Sequence, residues 1–385
     1  MANVLTDLAA DIYKAADVVG RELVGFIPAS TINANGSERV AKGDTVRASF
    51  TRAATAVDVT EAMTIPEGTD QTVDNKTLSI SNSRAVQIPF TGEDVRHLNN
   101  GIGFETVYGD QIKQAMRTLC NEIEADLAEE AYKNASRAFG TAGTTPFASN
   151  FDEVAEIRQI LVDNGMPVND GLCSMVLGTV ASTNLRQLAQ LQRANESGST
   201  DLLRQGVLLD LQGMAVRESA QIQSHTKGTG TGYLADLVAG YSIGDKTVHV
   251  DTGTGTIVQG DVVTFNGDTN KYVIGTGFAG DGDGDITLND PGLRAALANN
   301  TAMTIGNNYT ANVAFHRNAL ELAIRAPAVP EGGDAADDAL TVQDPASGLV
   351  FEVRVYRGYR KSMIEVAAAW GVKAFKPDFI ATLMG

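Results

Sequence analysis

The strongest constraint on the fold is a run of apolar residues between residues 104 and 138 that recurs on one face of a helix. The run contains no proline, and only Gly109 interrupts it before Gly140. Its apolar members, separated by steps of three and four residues, are Phe104, Tyr108, Ile112, Met116, Leu119, Ile123, Leu127 and Ala131. This spacing predicts one amphipathic helix over 104–138, roughly 50 Å long at 1.5 Å per residue. Seven acidic and four basic residues occupy the other face, which we expect to be exposed to solvent.

Residues 45–90 begin and end with a period of two, which is typical of β-strands. Apolar and polar residues alternate from Val46 to Phe50 and again from Val86 to Phe90. The stretch between them is polar on both faces and contains turn signals, so 45–90 is predicted to be one long hairpin. An isolated two-stranded ribbon is marginally stable in water. The hairpin therefore needs something outside its own chain to lie against.

Further elements along the chain indicate an α+β fold. An amphipathic helix is predicted at 4–24, followed by a polar segment that makes this helix an arm. More helices are predicted at 151–164, 181–194 and 319–324, and strands at 172–177, 351–355 and 364–372. Helices that alternate with strands favour a mixed architecture.

The composition changes sharply between residues 226 and 311. Sixteen of the 39 glycines fall within these 86 residues, together with nine aspartates and no glutamate. Short strand-like runs are separated by Gly, Asp and Asn turns, and they are 246–250, 262–265, 271–274 and 286–288. This pattern predicts a small all-β barrel or sandwich inserted into the surrounding domain.

The charge and the cysteine content limit the partners and the compartment. The chain carries 47 acidic and 30 basic side chains, a formal net charge of -17 with histidine neutral. Nucleic acids and anionic membranes attract a surplus of Lys and Arg, so this balance disfavours both as binding partners. Cys120 and Cys173 form no CxxC pair, which favours a reducing compartment without disulfides. Residues 1–19 lack the pattern of a secretory signal and no apolar run is long enough to span a membrane, so we expect synthesis in the cytoplasm.

No catalytic constellation is apparent in the sequence. The four histidines show no metal-binding spacing, and neither GxSxG nor a Walker motif occurs. Residues 275–280 match GxGxxG, but the acidic residues that follow would repel a pyrophosphate. We therefore expect no enzyme activity, no cofactor and no metal centre.

Two charged runs have alternative interpretations. Asp281, Asp283 and Asp285 alternate as in a calcium loop, but the glycine and the bidentate glutamate of an EF-hand are missing, so a solvated turn is favoured over a weak cation site. Residues 354–361 combine basic and aromatic side chains that could bind a nucleic acid. Alternation along a strand would send these side chains to opposite faces, which favours ion pairing with acidic neighbours.

Three stretches are similar to motifs of one protein family. They are residues 203–220, with the sequence LRQGVLLDLQGMAVRESA, residues 260–267, with the sequence GDVVTFNG, and residues 370–373, with the sequence WGVK. Met214 stands where the family usually has an aromatic residue. With the order of elements above, the chain resembles the major capsid proteins of tailed bacteriophages that have the Hong Kong 97-type fold, in the podophage-like branch with an inserted β-domain.

The resemblance implies a division of the chain into named parts. These are an N-terminal arm at 1–44, an extended β-hairpin loop at 45–90, a peripheral domain at 91–165 with the spine helix 104–138, an axial domain at 166–225, an inserted β-domain at 226–311, a return to the axial domain at 312–340, and a C-terminal sheet of the peripheral and axial domains at 341–385.

The resemblance also implies partners. Many copies, as hexamers and pentamers, would form an icosahedral shell that encloses double-stranded DNA without sequence-specific binding. No long charged segment precedes the arm, so we expect a separate scaffolding protein, together with a portal protein and, in some relatives, a decoration protein. The expected location is the virion capsid, after synthesis in the host bacterial cytoplasm, with no membrane contact.

Charged residues of the hairpin and of the basic run are the candidates for contacts between subunits. They are Arg47, Arg52, Glu61, Glu67, Arg84, Arg354, Arg357 and Arg360. Two alternatives stay open: a cell-surface or glycan-binding module centred on 226–311, and the shell of a non-viral protein nanocompartment.

Overall fold

The chain forms a mixed α+β fold. The computed structural model describes residues 25–50, 56, 58, 59, 61, 63, 74–99, 104–192, 210–343 and 348–385. The predicted helix at 4–24 and residues 203–209 of the first motif lie outside the described residues. The helices are α1 (Phe26–Ala29), α2 (Gly92–Asn99), α3 (Phe104–Lys133), α4 (Asp152–Asp163), α5 (Thr179–Gln187) and α6 (Ala189–Gln192).

Strands make up the larger share of the described chain. They are β1 (Thr31–Val40), β2 (Thr45–Phe50), β3 (Asp74–Ser79), β4 (Asn82–Thr91), β5 (Arg137–Gly140), β6 (Cys173–Leu177), β7 (Ala215–Glu218), β8 (Ser224–His225), β9 (Leu234–Ala235), β10 (Thr247–Gly253), β11 (Thr256–Ile257), β12 (Val262–Phe265), β13 (Lys271–Thr276), β14 (Phe278–Ala279), β15 (Gly282–Leu288), β16 (Thr301–Ile305), β17 (Tyr309–His316), β18 (Leu320–Pro327), β19 (Ala336–Gln343), β20 (Val350–Gly358), β21 (Lys361–Ala374) and β22 (Ile380–Met384).

A six-stranded sheet supports the long helix α3. At its centre, β21 pairs with β4 along one edge and with β20 and then β18 along the other. β19 extends the sheet beyond β20, and β1 pairs in parallel with β18. Trp370 of β21 is buried, and its Nε1 donates a hydrogen bond to Asp126 Oδ2 of α3 at 2.7 Å. The helix is thus held on the sheet by apolar burial and by a hydrogen bond from the one tryptophan.

α3 ends at Lys133, five residues before the predicted end at 138, because the chain leaves the helix to join a sheet. Ser136 N donates a hydrogen bond to Ile380 O at 2.8 Å, and β5 then pairs in parallel with β22. Ala135 and Ala138 are also buried, so the apolar spacing continues through the junction. Periodicity therefore does not mark the end of the helix here.

The polar face of α3 is not wholly exposed, contrary to the prediction. Glu124 is fully buried, and its carboxylate accepts hydrogen bonds from the backbone N–H groups of Gly25, Phe26 and Ile27 at 2.5, 2.8 and 3.0 Å. Burial raises the pKa of Glu124 in spite of these donors. Glu124 thus joins the start of α1 to the middle of the long helix.

A second group of strands contains the C-terminal strand β22. β5, β22, β17, β6 and β7 are neighbours in that order. α4 and α5 share a hydrophobic core with these strands, which includes Ile157, Met175, Leu185 and Leu383. α4 confirms the helix predicted at 151–164. The helix predicted at 181–194 is divided, because Leu188 adopts an extended conformation between α5 and α6.

Six strands between Leu234 and Ile305 close into a barrel. The pairings run β12, β16, β9, β10, β15, β13 and return to β12. These strands enclose their own hydrophobic core, which includes Tyr233, Val250 and Ile286. The predicted strand runs are confirmed as parts of β10, β12, β13 and β15. β13 also pairs with β5, so the barrel is continuous with the neighbouring sheet.

The helix predicted at 319–324 is wrong, because these residues belong almost entirely to β18. β18 has β1 on one edge and β21 on the other, and Leu322, Ala323 and Ile324 are all buried. A strand covered on both faces shows no alternation, so its short apolar run cannot be told from a buried helix by sequence periodicity.

Candidate assembly surfaces

A two-stranded ribbon, formed by β2 and β3, is rooted in the body by a small hydrophobic cluster. The cluster contains Val40, Leu78, Ile80, Ala323, Ala369 and Phe375. A Cβ at Gly371 would lie 2.1 Å from Ser79 O, so the ribbon approaches β21 closely at this glycine. Lys373 Nζ also donates a hydrogen bond to Thr77 O at 2.7 Å. The near end of the ribbon is therefore fixed by packing and by hydrogen bonds.

The far end of the ribbon has no strand partner from the rest of the described chain. β2 and β3 pair only with each other there, from Thr45 opposite Ser79 to Phe50 opposite Asp74. In the loop between them, Val59 and Met63 are fully exposed. Beyond the root, the described part of the ribbon and its loop thus presents apolar side chains to solvent.

Four of the predicted contact residues belong to this ribbon and its loop. Arg47 and Glu61 are exposed, whereas Arg52 and Glu67 lie outside the described residues. The 45–90 segment is also not one hairpin. β4 belongs to the six-stranded sheet, where it pairs with β21 over its whole length, so the ribbon ends at Ser79.

Two further candidates form ion pairs on the surface. Arg84 Nε of β4 lies 3.4 Å from Glu122 Oε2 of α3, and Arg357 Nη2 lies 2.8 Å from Asp337 Oδ2 of β19. All four side chains are more than a third exposed. Pairs of this kind contribute about 0–1 kcal/mol, so both arginines stay available to an external partner at small cost.

Arg354 differs from these exposed arginines, because its guanidinium is buried and pairs with carboxylates of the same subunit. Arg354 is buried, its Nε lies 3.0 Å from Glu352 Oε1, and its Nη1 donates to Asp334. Arg39 binds the same Glu352 carboxylate through two hydrogen bonds of 2.5 and 3.1 Å. Burial opposes ionisation of Asp334, but hydrogen bonds from Ala336 N, the Tyr356 hydroxyl and Arg354 hold its pKa below the usual range. This network confirms the expected ion pairing for Arg354.

Arg360 lies in a turn and not in a strand as predicted. β20 and β21 form a hairpin in which Gly358 pairs with Lys361, and Tyr359 and Arg360 make the connection. Arg360 has a φ of 56°. Its guanidinium lies 5.7 Å from the centroid of the Tyr359 ring, which is 90% exposed. The turn therefore presents an aromatic ring and two cationic side chains to solvent.

The acidic run at 281–285 is occupied by interactions within the chain. His249 of β10 bridges two of its members, with Nδ1 2.6 Å from Asp285 Oδ1 and Nε2 2.5 Å from Asp283 Oδ1. Asp281 Oδ1 accepts a hydrogen bond from Gly255 N at 2.6 Å. The carboxylates thus bind an imidazole and a backbone amide in this structure.

One group of three side chains in the described part has the donor types of a metal site. Asp170, Cys173 and His316 place their donor atoms within 4.8 Å of one another. His316 Nδ1 accepts a hydrogen bond from Asn318 N at 3.2 Å, which leaves Nε2 to donate to Asp170 Oδ2 at 2.8 Å. Burial raises the pKa of the Cys173 thiol to about 11. A metal on Nε2 would require a proton on Nδ1, against the Asn318 N–H, so the group fits a hydrogen-bonded pair beside a neutral thiol better than a metal centre.

Sequence reasoning overlooked the exposed apolar residues. Val59, Met63 and Tyr359 lie in turns or loops, whereas the candidates were chosen by charge. Large apolar side chains inside segments that otherwise carry turn residues were the signal that could have identified them. In addition, none of the helices in the described ranges has the length and hydropathy needed to cross a membrane.

Comparisons with known proteins give similarity only at the level of solved structures. No family model matches the sequence, and no curated protein matches it. The capsid structure of the cyanophage P-SCSP1u is 11% identical, with 92% of this chain and 86% of that chain covered and a TM-score of 0.48. A structure from Mycobacterium phage Che8 is 14% identical, with coverage of 89% and 85% and a TM-score of 0.46. The capsid of a native GTA particle is 10% identical, with coverage of 94% and 90% and a TM-score of 0.46. At these TM-scores the similarities alone define neither the fold nor the function of this chain.

Proposed function

We propose that this chain is the major capsid protein of a tailed bacteriophage, a subunit that assembles with many copies of itself into an icosahedral shell around packaged double-stranded DNA. The observation that carries the proposal is the ribbon of β2 and β3. Its root is packed into the body, and the described residues of its loop expose Val59 and Met63 fully. A ribbon of two strands with exposed apolar residues is expected to gain stability by lying on another molecule.

The order of elements supports a Hong Kong 97-type architecture for this shell subunit. A long helix packed on a sheet of long strands corresponds to a peripheral domain, with α3 as its spine. We assign the sheet around β22, with α4 and α5, to an axial domain, which moves α4 out of the peripheral domain expected at 91–165, and we assign the barrel to an inserted domain at 226–311. The extended loop would reach a neighbouring subunit, whereas the described part of the predicted arm at 1–44 belongs to the body, since α1 binds Glu124 and β1 pairs with β18. The extended loop is best restricted to β2, β3 and the residues between them, since β4 pairs with β21.

The charge of the chain suits a container for DNA. A net charge of -17 per copy repels phosphates at long range, so the wall would enclose the nucleic acid without binding it strongly. Under this proposal the copies assemble as hexamers and pentamers with a separate scaffolding protein and a portal protein, and a decoration protein is an optional partner. The subunit is made in the host bacterial cytoplasm, is located in the virion capsid, and has no catalytic role.

The alternatives have less support. A glycan-binding barrel would need an exposed aromatic ring for a sugar to stack on, yet within residues 226–311 Tyr233, Tyr241, Phe265 and Tyr272 are buried and Phe278 is half-buried against the barrel core. The structure describes every residue of 226–311, and the strongly exposed apolar side chains among them are aliphatic, for example Val238 and Ile243. A nanocompartment shell would share the assembly behaviour and differ in its content, which is protein and not DNA.

Particle formation tests the proposal. Purified protein, with its scaffolding protein if required, should form megadalton particles by light scattering and closed shells by electron microscopy. A matched variant replaces residues 51–73 by Asn-Gly, which favours the tight turn that joins two strands. This variant should retain the circular dichroism and the unfolding transition of the wild type but fail to form shells.

The design keeps Leu78 and Ile80, which are buried in the body. A wild type that stays a monomer or a small oligomer under all these conditions would disprove the proposal. Assembly of the loop-replaced variant at wild-type yield would show that the ribbon is not the contact on which the shell depends.

A further inference from the structure

The barrel carries an exposed apolar loop, formed by residues 236–246 between β9 and β10. Three aliphatic side chains in it face solvent: Leu237 is 41% exposed, Val238 91% and Ile243 66%. Isolated exposed apolar residues are common on protein surfaces, but here three lie within seven positions of one loop, as at surfaces that bind other proteins.

Backbone hydrogen bonds join the apolar loop to the segment between β15 and β16. Tyr241 is buried and forms a two-way backbone pair with Leu297, with N to O distances of 2.8 and 3.0 Å. Gly240 N donates to Leu237 O at 2.7 Å, and Gly244 N donates to Leu293 O at 2.8 Å. Both glycines have a positive φ, of 70° and 93°, which suits residues without a Cβ. A patch held in this way loses little conformational entropy when a partner covers it.

The surroundings of the apolar loop are acidic. Asp236 and Asp245 lie within it, its one base, Lys246, pairs with Asp290, and residues 226–311 contain nine aspartates against three lysines and one arginine. A complementary partner therefore combines an apolar or aromatic surface with positive charge.

Such a surface occurs on this chain at the β20–β21 turn, which we define as the hairpin tip, residues 357–361. Tyr359 is the one large aromatic side chain that is strongly exposed among the described residues. Arg360 lies over its ring, and Arg357 and Lys361 are exposed beside it. The hairpin tip thus has the aromatic and cationic character that the apolar loop lacks.

We propose that the apolar loop of one copy docks on the hairpin tip of a neighbouring copy, with Val238 and Ile243 against Tyr359 and the acidic surroundings of the loop facing Arg360. The two patches differ, so the contact is heterologous and can be repeated from copy to copy, as a shell requires. This inference rests on the proposed shell function and assigns the barrel a role in joining subunits.

Cross-linking between separately prepared variants tests the contact. Ala239→Cys and Lys361→Cys proteins, which keep Val238, Ile243 and Tyr359, are mixed, assembled and oxidised, so that a disulfide between the two variants joins different copies. The natural cysteines, Cys120 and Cys173, are buried and should not react. Val180→Cys serves as the control partner for Lys361→Cys, because Val180 is 64% exposed but belongs to α5 and not to the apolar loop. We expect about tenfold more covalent dimer for the first pair, since docking raises the local concentration of the two thiols.

A charge exchange provides the second measurement. Arg360→Glu and Asp236→Lys should each lower the yield of the Ala239–Lys361 cross-link, and the two changes combined should restore it, because opposite charges then face each other again. No restoration in the combined variant would contradict the role assigned to these charges.

The outcomes separate this contact from the shell itself. Shells that form without a cross-link above the control level overturn the docking inference and leave the shell function intact. A specific cross-link in small oligomers that never become shells supports the contact and overturns the shell function. Absence of both particles and cross-link overturns both.

Discussion

At the scale of single residues, His249 is the group whose environment most clearly predicts a dependence on pH. Its two ring nitrogens contact Asp285 and Asp283, and the hydrogen bond to Asp285 is the main reason why the pKa of His249 is raised. Only the protonated ring can donate to both carboxylates. The stability that the folded chain gains from the two His249 pairs is therefore complete below the ordinary histidine pKa of about 6.5. It is lost as pH rises through the raised pKa of His249.

The pKa of His249 can be measured directly by following its ring resonances in an NMR titration. We expect a value above the ordinary one in the wild type. Asp285→Asn should lower it more than Asp283→Asn does, since the hydrogen bond to Asp285 has the larger effect. Equal values in the wild type and in both variants would show that the pairs do not form in solution.

At the scale of elements, Gly371 determines how closely the ribbon approaches β21. A Cβ at this position would lie 2.1 Å from Ser79 O and 2.9 Å from a Leu78 methyl group, so Gly371→Ala must displace the root of the ribbon. Overpacking of this kind costs about 1–3 kcal/mol. We expect a lower unfolding temperature and faster proteolytic cleavage of the ribbon.

Gly358→Ala, in the neighbouring strand, is the matched control for Gly371→Ala. Its added Cβ would meet its nearest atom, Lys361 O, at 3.5 Å, which is an ordinary contact. The control should behave like the wild type in both measurements. Equal effects of the two substitutions would mean that close packing at Gly371 does not hold the ribbon.

The elements also show where sequence patterns are sufficient. Strands of the barrel were predictable because Gly, Asp and Asn turns separate runs such as 262–265, and α3 because its apolar spacing is long and regular. β18 could not be predicted as a strand, because both of its faces are buried and polar residues do not alternate with apolar ones along it. The end of α3 could not be predicted from the sequence, because Ala138 of β5 continues the apolar spacing beyond the helix.

The surface residues were less predictable than the elements. A selection by charge cannot distinguish Arg354, which is buried, from Arg357 and Arg360, which are exposed. Which of them pairs inside the chain depends on Glu352 and Asp334, whose contacts are set by the sheet and not by distance in sequence. The exposure of Val238 and Tyr359 became clear only in the folded chain.

At the scale of the whole molecule, the net charge of -17 predicts how the subunit meets DNA. Binding to a duplex depends on releasing counterions from phosphates, which a net negative protein does poorly. We expect no retardation of double-stranded DNA by the unassembled subunit in a gel at about 0.15 M salt, where the Debye length is about 8 Å. Micromolar binding under these conditions would show a concentrated basic surface and would contradict a wall that only encloses its content.

The pairing of β13 with β5 has a mechanical consequence for the barrel. β13 belongs to the closed ring and is also hydrogen-bonded to β5 through Lys271 and Tyr272. β5 is in turn paired with the C-terminal strand β22. A force applied to the barrel therefore acts directly on backbone hydrogen bonds, because β13 and β5 are paired with each other. Force applied to the apolar loop would therefore be transmitted to the sheet beside α3, and the barrel would move together with this sheet.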